Sequence, residues 1–339
     1  MKANFFYDIN DFRYLDIESP KISESEVLIE MKSCGVCGTD IHKAIYKTVQ
    51  TPIVLGHEVS GIIIEVGDKV KKFSVGDRVA LAHHAPCMVC WECRHNHHSL
   101  CDEYLKTNLD PGGFSEIIRV PAINVSRTMV KIPDSMSYDE GAFMEPLACC
   151  IRGYSSKIQP GDTVLILGSG PIGIIHTQIA KAFNASLIIN TDLVDFRLKM
   201  AEKFDSIGIN VNKEDLVSKV LELTNGKGAD VIIDTVGNKT AMQQGIKSAR
   251  KGAIINVFAP FMENENIEIN FNEIFFHELT FVGTYSSSPL DYPRVIKLIE
   301  NGFINVKDLI THKFKLKDLE KAINIGHKAK ESLKLIINP

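Results

Sequence analysis

No stretch of the chain approaches the roughly 18 consecutive apolar residues that a membrane-spanning helix needs. The opening MKANFFYDINDFRYLDI has charges spread through it and no apolar core of signal-peptide length, so the expected compartment is the cytoplasm. An excess of one charge is also missing: 38 Lys and Arg stand against 42 Asp and Glu, a formal net charge of −4. That balance gives no electrostatic case for nucleic acid or an anionic membrane as partner. Internal repeats and low-complexity tracts are absent. What is there is 45% hydrophobic and 24% charged residues over 339 positions, enough apolar material for two domain cores.

The eight cysteines are informative by position. Cys87, Cys90, Cys93 and Cys101 fall within 15 residues, Cys34 and Cys37 form a pair upstream, and Cys149 and Cys150 are adjacent. In a reducing cytoplasm such clustering points to metal rather than disulfides.

Up to about residue 145 the pattern is β-rich. VLIEM (Val27–Met31), SGIIIEVG (Ser60–Gly67) and DRVALA (Asp77–Ala82) read as strands, with turns at Gly67-Asp68 and Gly76-Asp77. From Asp162 the pattern changes. TVLILG (Thr163–Gly168), SLIINTD (Ser186–Asp192), DVIIDTVG (Asp230–Gly237), AIINVFA (Ala253–Ala259) and LTFVGTY (Leu279–Tyr285) read as strands. Helical stretches at Ile172–Phe183 and Phe196–Phe204 lie between the first of them. Such alternation implies a parallel, doubly wound sheet. The tail, Asp291–Pro339, holds two helical patterns and ends in the apolar strand LKLIINP.

Gly168-Ser169-Gly170-Pro171-Ile172-Gly173 is a G-x-G-x-x-G that follows a strand and opens a helix, the context in which the motif marks a dinucleotide site. Gly168 permits a tight turn, Gly170 lets backbone approach a pyrophosphate, and Gly173 allows close helix–strand packing. The helix N-terminus offers N–H donors to the phosphates. Asp192 ends the second strand, 19 residues after Gly173. A carboxylate there accepts from the adenosine ribose and repels a 2′-phosphate, which favours NAD over NADP; the nearby Arg197 leaves that preference open. Asp234–Gly237 and Val257–Ala259 fall at strand ends, where a dinucleotide would lie.

Cys87-x2-Cys90-x2-Cys93-x7-Cys101 can wrap one tetrahedral zinc. A closed shell of four thiolates leaves no place for substrate, so the expected role is structural. His83, His84, His95, His97 and His98 crowd the same region and are read as solvated loop residues. A second constellation comprises Cys37, His42, His57, Glu58 and Glu145. Cysteine, histidine and carboxylate suit a zinc that keeps one position open, though the spacing alone does not establish a site.

Several segments together resemble the zinc-containing medium-chain dehydrogenases. They are CGVCGTDIH (Cys34–His42), GHEVSGIIIEVG (Gly56–Gly67), VGDRV (Val75–Val79), the four-cysteine loop, GGFSEIIRVP (Gly112–Pro121), MEPLA (Met144–Ala148) and LGSGPIG (Leu167–Gly173). The resemblance implies an α/β fold: a GroES-like β-rich catalytic domain and a Rossmann domain inserted before its last segment. The expected spans are 1–148, 149–288 and 289–339. It also implies roles. Cys37 and His57 match catalytic zinc ligands. Glu58 matches a carboxylate that binds zinc or waits beside it. Glu145 matches a position that ligates zinc directly or through water. Thr39 matches the hydroxyl that takes the substrate proton, His42 the outer end of the relay, and Asp40 a partner of the zinc-bound histidine.

Met-Glu-Pro-Leu-Ala and TYSSSPLDY (Thr284–Tyr292) look most like the sorbitol and polyol branch, while the four-cysteine loop keeps threonine dehydrogenase in view. The implied activity is hydride transfer from a secondary alcohol of a small polyol to NAD. One catalytic and one structural zinc would serve it, in a homodimer or homotetramer. Other zinc dehydrogenases of the same fold, acting on threonine, a sugar, a sugar phosphate or a simple alcohol, stand as alternatives. A non-catalytic dinucleotide sensor would not need Cys37, His57, Glu58, Thr39 and His42 together.

Overall fold

Period-two patterning becomes strand throughout the first part of the chain. In the computed structural model, which describes residues 1–154, 158–262 and 265–339, the opening part supplies eight strands. They are β1 (Lys2–Asp8), β2 (Asp11–Asp16), β3 (Val27–Val36), β4 (Ile53–Val54), β5 (Glu58–Val66), β6 (Arg78–Ala82), β7 (Ile117–Val120) and β8 (Val130–Lys131). β1 pairs antiparallel with both β2 and β4. β3 is the pivot of a larger sheet and pairs antiparallel with β5 and β7. Val27, Ile29, Met31, Val59, Ile63, Val79, Ile118 and Val120 close the core beneath it.

The second part alternates strand and helix. β9 (Thr163–Leu167), β10 (Leu187–Asp192), β11 (Ile207–Asn210), β12 (Ala229–Asp234), β13 (Ala249–Val257) and β14 (Thr280–Gly283) form one sheet. Its order is β11-β10-β9-β12-β13-β14, parallel at every pairing. This is the dinucleotide-binding order, whose crevice opens where strand order reverses, between β9 and β12. Val164–Leu167 and Val231–Asp234 are buried throughout, as expected of central strands covered on both faces.

The tail returns to the first sheet. β15 (Ile310–Lys315) pairs parallel with β16 (Lys334–Asn338), and β16 pairs antiparallel with β3. The chain thus divides into one unit of Met1–Ala148 with Ser287–Pro339, and another of Cys149–Ser286. Among the described residues no helix is long and apolar enough to cross a membrane.

Candidate active site and metal centres

Cys37 follows β3 and caps the helix Gly38–Tyr46 in extended backbone conformation. Asp40, at the third helical position, is fully buried and serves three groups at once. Its carboxylate accepts the Cys37 N–H at 3.0 Å and the Gly56 N–H at 3.1 Å, and lies 3.4 Å from His57 Nδ1. One side chain therefore fixes the backbone of Cys37, the approach to His57, and the imidazole itself. Burial alone would raise the Asp40 pKa, but His57 and the two backbone donors bring it below the usual carboxylate value. Burial would lower that of His57, yet the charges of Asp40 and Cys37 carry it well above 6.5. With Nδ1 engaged, Nε2 is the nitrogen left for a metal.

The ligand atoms of Cys37, His57 and Glu58 all lie within 4.8 Å of one another. A thiol, an imidazole and a carboxylate at this spacing fit zinc with a further position open. Glu58 is 1% exposed and forms an ion pair with Lys334 of β16, itself 4% exposed. The pair rests on bare backbone: a Cβ on Gly35 would sit 2.0 Å from Glu58 Oε2 and 2.8 Å from Lys334 Cε. Burial would lower the Lys334 pKa, but Glu58, Cys37 and then Glu145 hold it above 10.5. The ammonium thus balances the anionic side of the cluster. The sequence reading did not include Lys334. Its signal was a lone charge inside an apolar strand.

Glu145 is buried in the first turn of the helix Met144–Tyr154, outside the converging trio. Thr39 and His42 are exposed and lie three positions apart on one helix face. No hydrogen bond joins them among the described residues; His42 Nδ1 instead lies 3.4 Å from Thr48 Oγ1. A relay between them therefore needs a third group to bridge it.

The loop histidines correct the reading of a solvated cluster. His95 and His97 are exposed. His98 is 3% exposed, its Nδ1 2.9 Å from Ser288 Oγ. His83 and His84 are half-buried in a row of rings: His83 lies 4.6 Å from the His57 ring, and His84 lies 3.8 Å from His83. Both lie in the loop directly after β6, whose last residues are buried.

The thiols of Cys87, Cys90, Cys93 and Cys101 also lie within 4.8 Å of one another, and Cys87 Sγ is 4.0 Å from Cys93 Sγ. Tetrahedral bonds of about 2.3 Å put sulfurs roughly 3.8 Å apart, so the four fit one zinc. Backbone N–H groups of Val89 and Cys90 donate to Cys87 Sγ at 3.4 and 3.3 Å and lower its pKa to about 7. Cys93, Cys101 and Tyr104 make a small core of their own, with Cys87 and Cys90 packed against it.

In the second unit Gly168 turns at φ +95° and Pro171 opens the helix Pro171–Ala182. A Cβ on Gly173 would lie 2.0 Å from the Gly168 carbonyl oxygen, so only glycine fits. Nothing closer than Arg197 Nη1, at 3.9 Å, faces Gly170, and Ile172 is half-buried. The Asp192 carboxylate accepts the N–H groups of Ser169 and Val194, both at 2.9 Å, and lies 3.9 Å from Arg197. It therefore holds the glycine turn while keeping lone pairs for a ribose. Val257 ends β13, half-buried.

Two families match this chain: "Alcohol dehydrogenase GroES-like domain" over residues 23–134 and "Zinc-binding dehydrogenase" over residues 171–301. The chain is 33% identical to a sorbitol dehydrogenase of Bacillus subtilis, covering 100% of this chain and 97% of that one. It is 32% identical to an L-threonine 3-dehydrogenase of Bacillus licheniformis over 91% of this chain and 90% of that protein. Among solved structures, the 2R,3R-butanediol dehydrogenase of Bacillus subtilis superposes with a TM-score of 0.88. Its identity is 29%, with 100% of this chain and 99% of that one covered.

Proposed function

Because this chain belongs to the zinc-containing medium-chain dehydrogenase family, we propose that it oxidises a secondary alcohol of a small polyol with NAD. The observation that carries this reading is the convergence of Cys37, His57 and Glu58, with Asp40 holding both of the first two. A zinc there would supply Lewis acidity that lowers the alcohol pKa, and NAD would accept the hydride. Asp40 holds the imidazole at Nδ1, which would leave Nε2 for the ion. Thr39, in the first turn beyond Cys37, takes the substrate proton, and exposed His42 delivers it to solvent through a group that bridges the two. Asp192 holds the adenosine ribose, with Gly170 and the N-terminus of the following helix at the pyrophosphate. Glu145 serves as an exchangeable carboxylate, and the four-cysteine loop holds a second, structural zinc. Support for a polyol rather than threonine comes from Met144–Ala148 and from the full-length similarity to a sorbitol dehydrogenase.

The test is an NAD-coupled screen of polyols, sugars, sugar phosphates, threonine and simple secondary alcohols, before and after chelation. His57→Ala should lose one zinc and nearly all turnover while retaining NAD affinity. Wild-type turnover in a variant lacking that zinc would refute the reading.

Self-association belongs to the same proposal. β14 is an edge strand, and the neighbouring helix Phe271–His277 buries none of its residues; Phe271, Phe275 and Phe276 are 78%, 75% and 71% exposed. An exposed aromatic helix and a sheet edge that no strand covers among the described residues suit a second copy of the chain. Sedimentation should give a dimer or larger species, and Phe275→Asp should shift it toward monomer.

A further inference from the structure

At the end of the parallel sheet away from Gly168, the second unit has a cleft of about 370 Å³, the size of a small-molecule site. It crosses the amino ends of four adjacent strands. Leu187 of β10, Thr163 of β9, Asp230 of β12 and Arg250 of β13 stand in its wall. The length of β9 puts roughly 15 Å between this cleft and the glycine turn. A dinucleotide lying across the carboxyl ends of the strands does not account for it.

The groups around the cleft are held in place. The Asp230 side chain is 15% exposed; one carboxylate oxygen accepts the Thr163 N–H at 2.9 Å and the other pairs with the Arg250 guanidinium. The turn after the helix Leu216–Leu223 also lines the cleft. Thr224 Oγ1 fixes that turn, donating to the Val220 carbonyl at 2.7 Å and accepting the Gly228 N–H at 2.8 Å. A Cβ on Gly228 would lie 2.7 Å from the Ser248 carbonyl oxygen, so the turn packs tightly on the chain before β13. This rigid turn supplies Asn225 and Lys227 to the wall. Neither side chain has a hydrogen-bond or ion-pair partner among the described residues.

Lys227, Asp230 and Arg250 are the charged groups of the wall, so one positive charge is in excess, on an ammonium that has no partner. Arg250 keeps further N–H donors beyond its bond to Asp230. Guanidinium and ammonium together are the donors that recognise phosphate. The rest of the wall is mostly polar. Asn225 offers an amide. Ser186 Oγ, whose hydrogen goes to the Gly161 carbonyl, keeps lone pairs for a hydroxyl donor, as do the Asp230 oxygens. We propose that this cleft is a second ligand site, separate from the cofactor and metal sites, for a small phosphate ester that carries free hydroxyls. The phosphate binds at Lys227 and Arg250, and the hydroxyls bind at Asn225, Ser186 and Asp230.

The experiment is calorimetric titration of the zinc-loaded protein, saturated with NADH so that the dinucleotide crevice is filled. The probes are glycerol 3-phosphate, ribose 5-phosphate, glucose 6-phosphate and inorganic phosphate. At least one ester should bind saturably, one per chain, and about tenfold more tightly than inorganic phosphate, which lacks the hydroxyls. Lys227→Met removes a side chain without a partner, so its melting should match wild type while its affinity for that ester falls about tenfold. Arg250→Lys keeps the charge beside Asp230 but loses the planar fork, and should weaken the ester as well. His57→Ala should leave this binding unchanged. Saturable binding of none of the four probes overturns the proposal, as does an affinity untouched in Lys227→Met. Loss of binding in His57→Ala instead would assign the ester to the metal cluster and overturn it too. Inorganic phosphate binding as tightly as the best ester would reject a site for phosphate esters.

Discussion

Replacing Lys334 by Met isolates the electrostatics of the metal cluster. Glu58 is 1% exposed, and its oxygens have no hydrogen-bond partner beyond the ion pair among the described residues. Lys334→Met thus leaves a buried carboxylate without its counter-charge. Breaking a buried pair from one side costs about 3–5 kcal/mol, whereas removing both partners is often close to neutral. In a unit of this size, each kcal/mol shifts Tm by roughly 2–4 °C, so the metal-free variant should melt about 6–20 °C below wild type. Zinc bound beside Glu58 would supply the missing positive charge, so the deficit should shrink in the loaded protein. Adding Glu58→Gln to Lys334→Met should recover much of the loss. The assay is calorimetric melting of the four proteins of this cycle, chelated and zinc-loaded. A deficit under ~1 kcal/mol, or a double variant no more stable than Lys334→Met alone, would refute the reasoning.

Three further outcomes are expected. Cys93→Ser should remove one of two zincs and lower stability or assembly far more than it alters local chemistry, because the thiols and Tyr104 are that loop's core; metal analysis showing one zinc and four free loop thiols in wild type would contradict it. Asp192→Ala should weaken NAD and narrow its advantage over NADP, since the carboxylate both repels a 2′-phosphate and holds Ser169; steady-state kinetics in which wild type prefers NADP would reject this. Burial would raise the Asp139 pKa, but Lys313, Ser33 and Asn338 bring it below 3.8. Its contribution is therefore complete above the unfolded value and is lost as pH falls through the lower folded value. Lys313→Met should flatten the stability profile below about pH 4, and parallel acid-unfolding curves would count against the pair.

How much of this was legible in the sequence depended on distance along the chain. The glycine turn was readable because Gly168, Gly170 and Gly173 act within one loop, and Asp192 reaches them from the adjacent strand. The parallel sheet was readable because its strands are apolar runs, each closed by a turn. The fold class followed from that alternation and from the family resemblance. Cys37, His57 and Glu58 could be named by type, but only the pairing of β3 with β5 sets their ligand atoms together. Lys334 escaped notice because its partner Glu58 lies in the opposite part of the chain. His98 looked solvated because its partner, Ser288, is 190 positions away. His83 does lie in a loop, just after β6, but was misread as solvated because its neighbours His57 and His84 bring their rings against it.

The return of β15 and β16 to the first sheet sets an order on synthesis. β3 and its neighbours leave the ribosome early, but the strand that carries Lys334 follows only after the whole of Cys149–Ser286. Until then Glu58 has no buried cation, and the flank of β3 that β16 will cover is open. The nascent chain must carry an unfinished sheet through the folding of its inserted neighbour, a long-range closure of the kind that slows folding. This late strand thus completes the charge balance at the metal cluster. A ribosome-stalled chain ending before Lys334 should hold zinc in the four-cysteine loop while its Cys37 thiol still reacts readily with alkylating reagents.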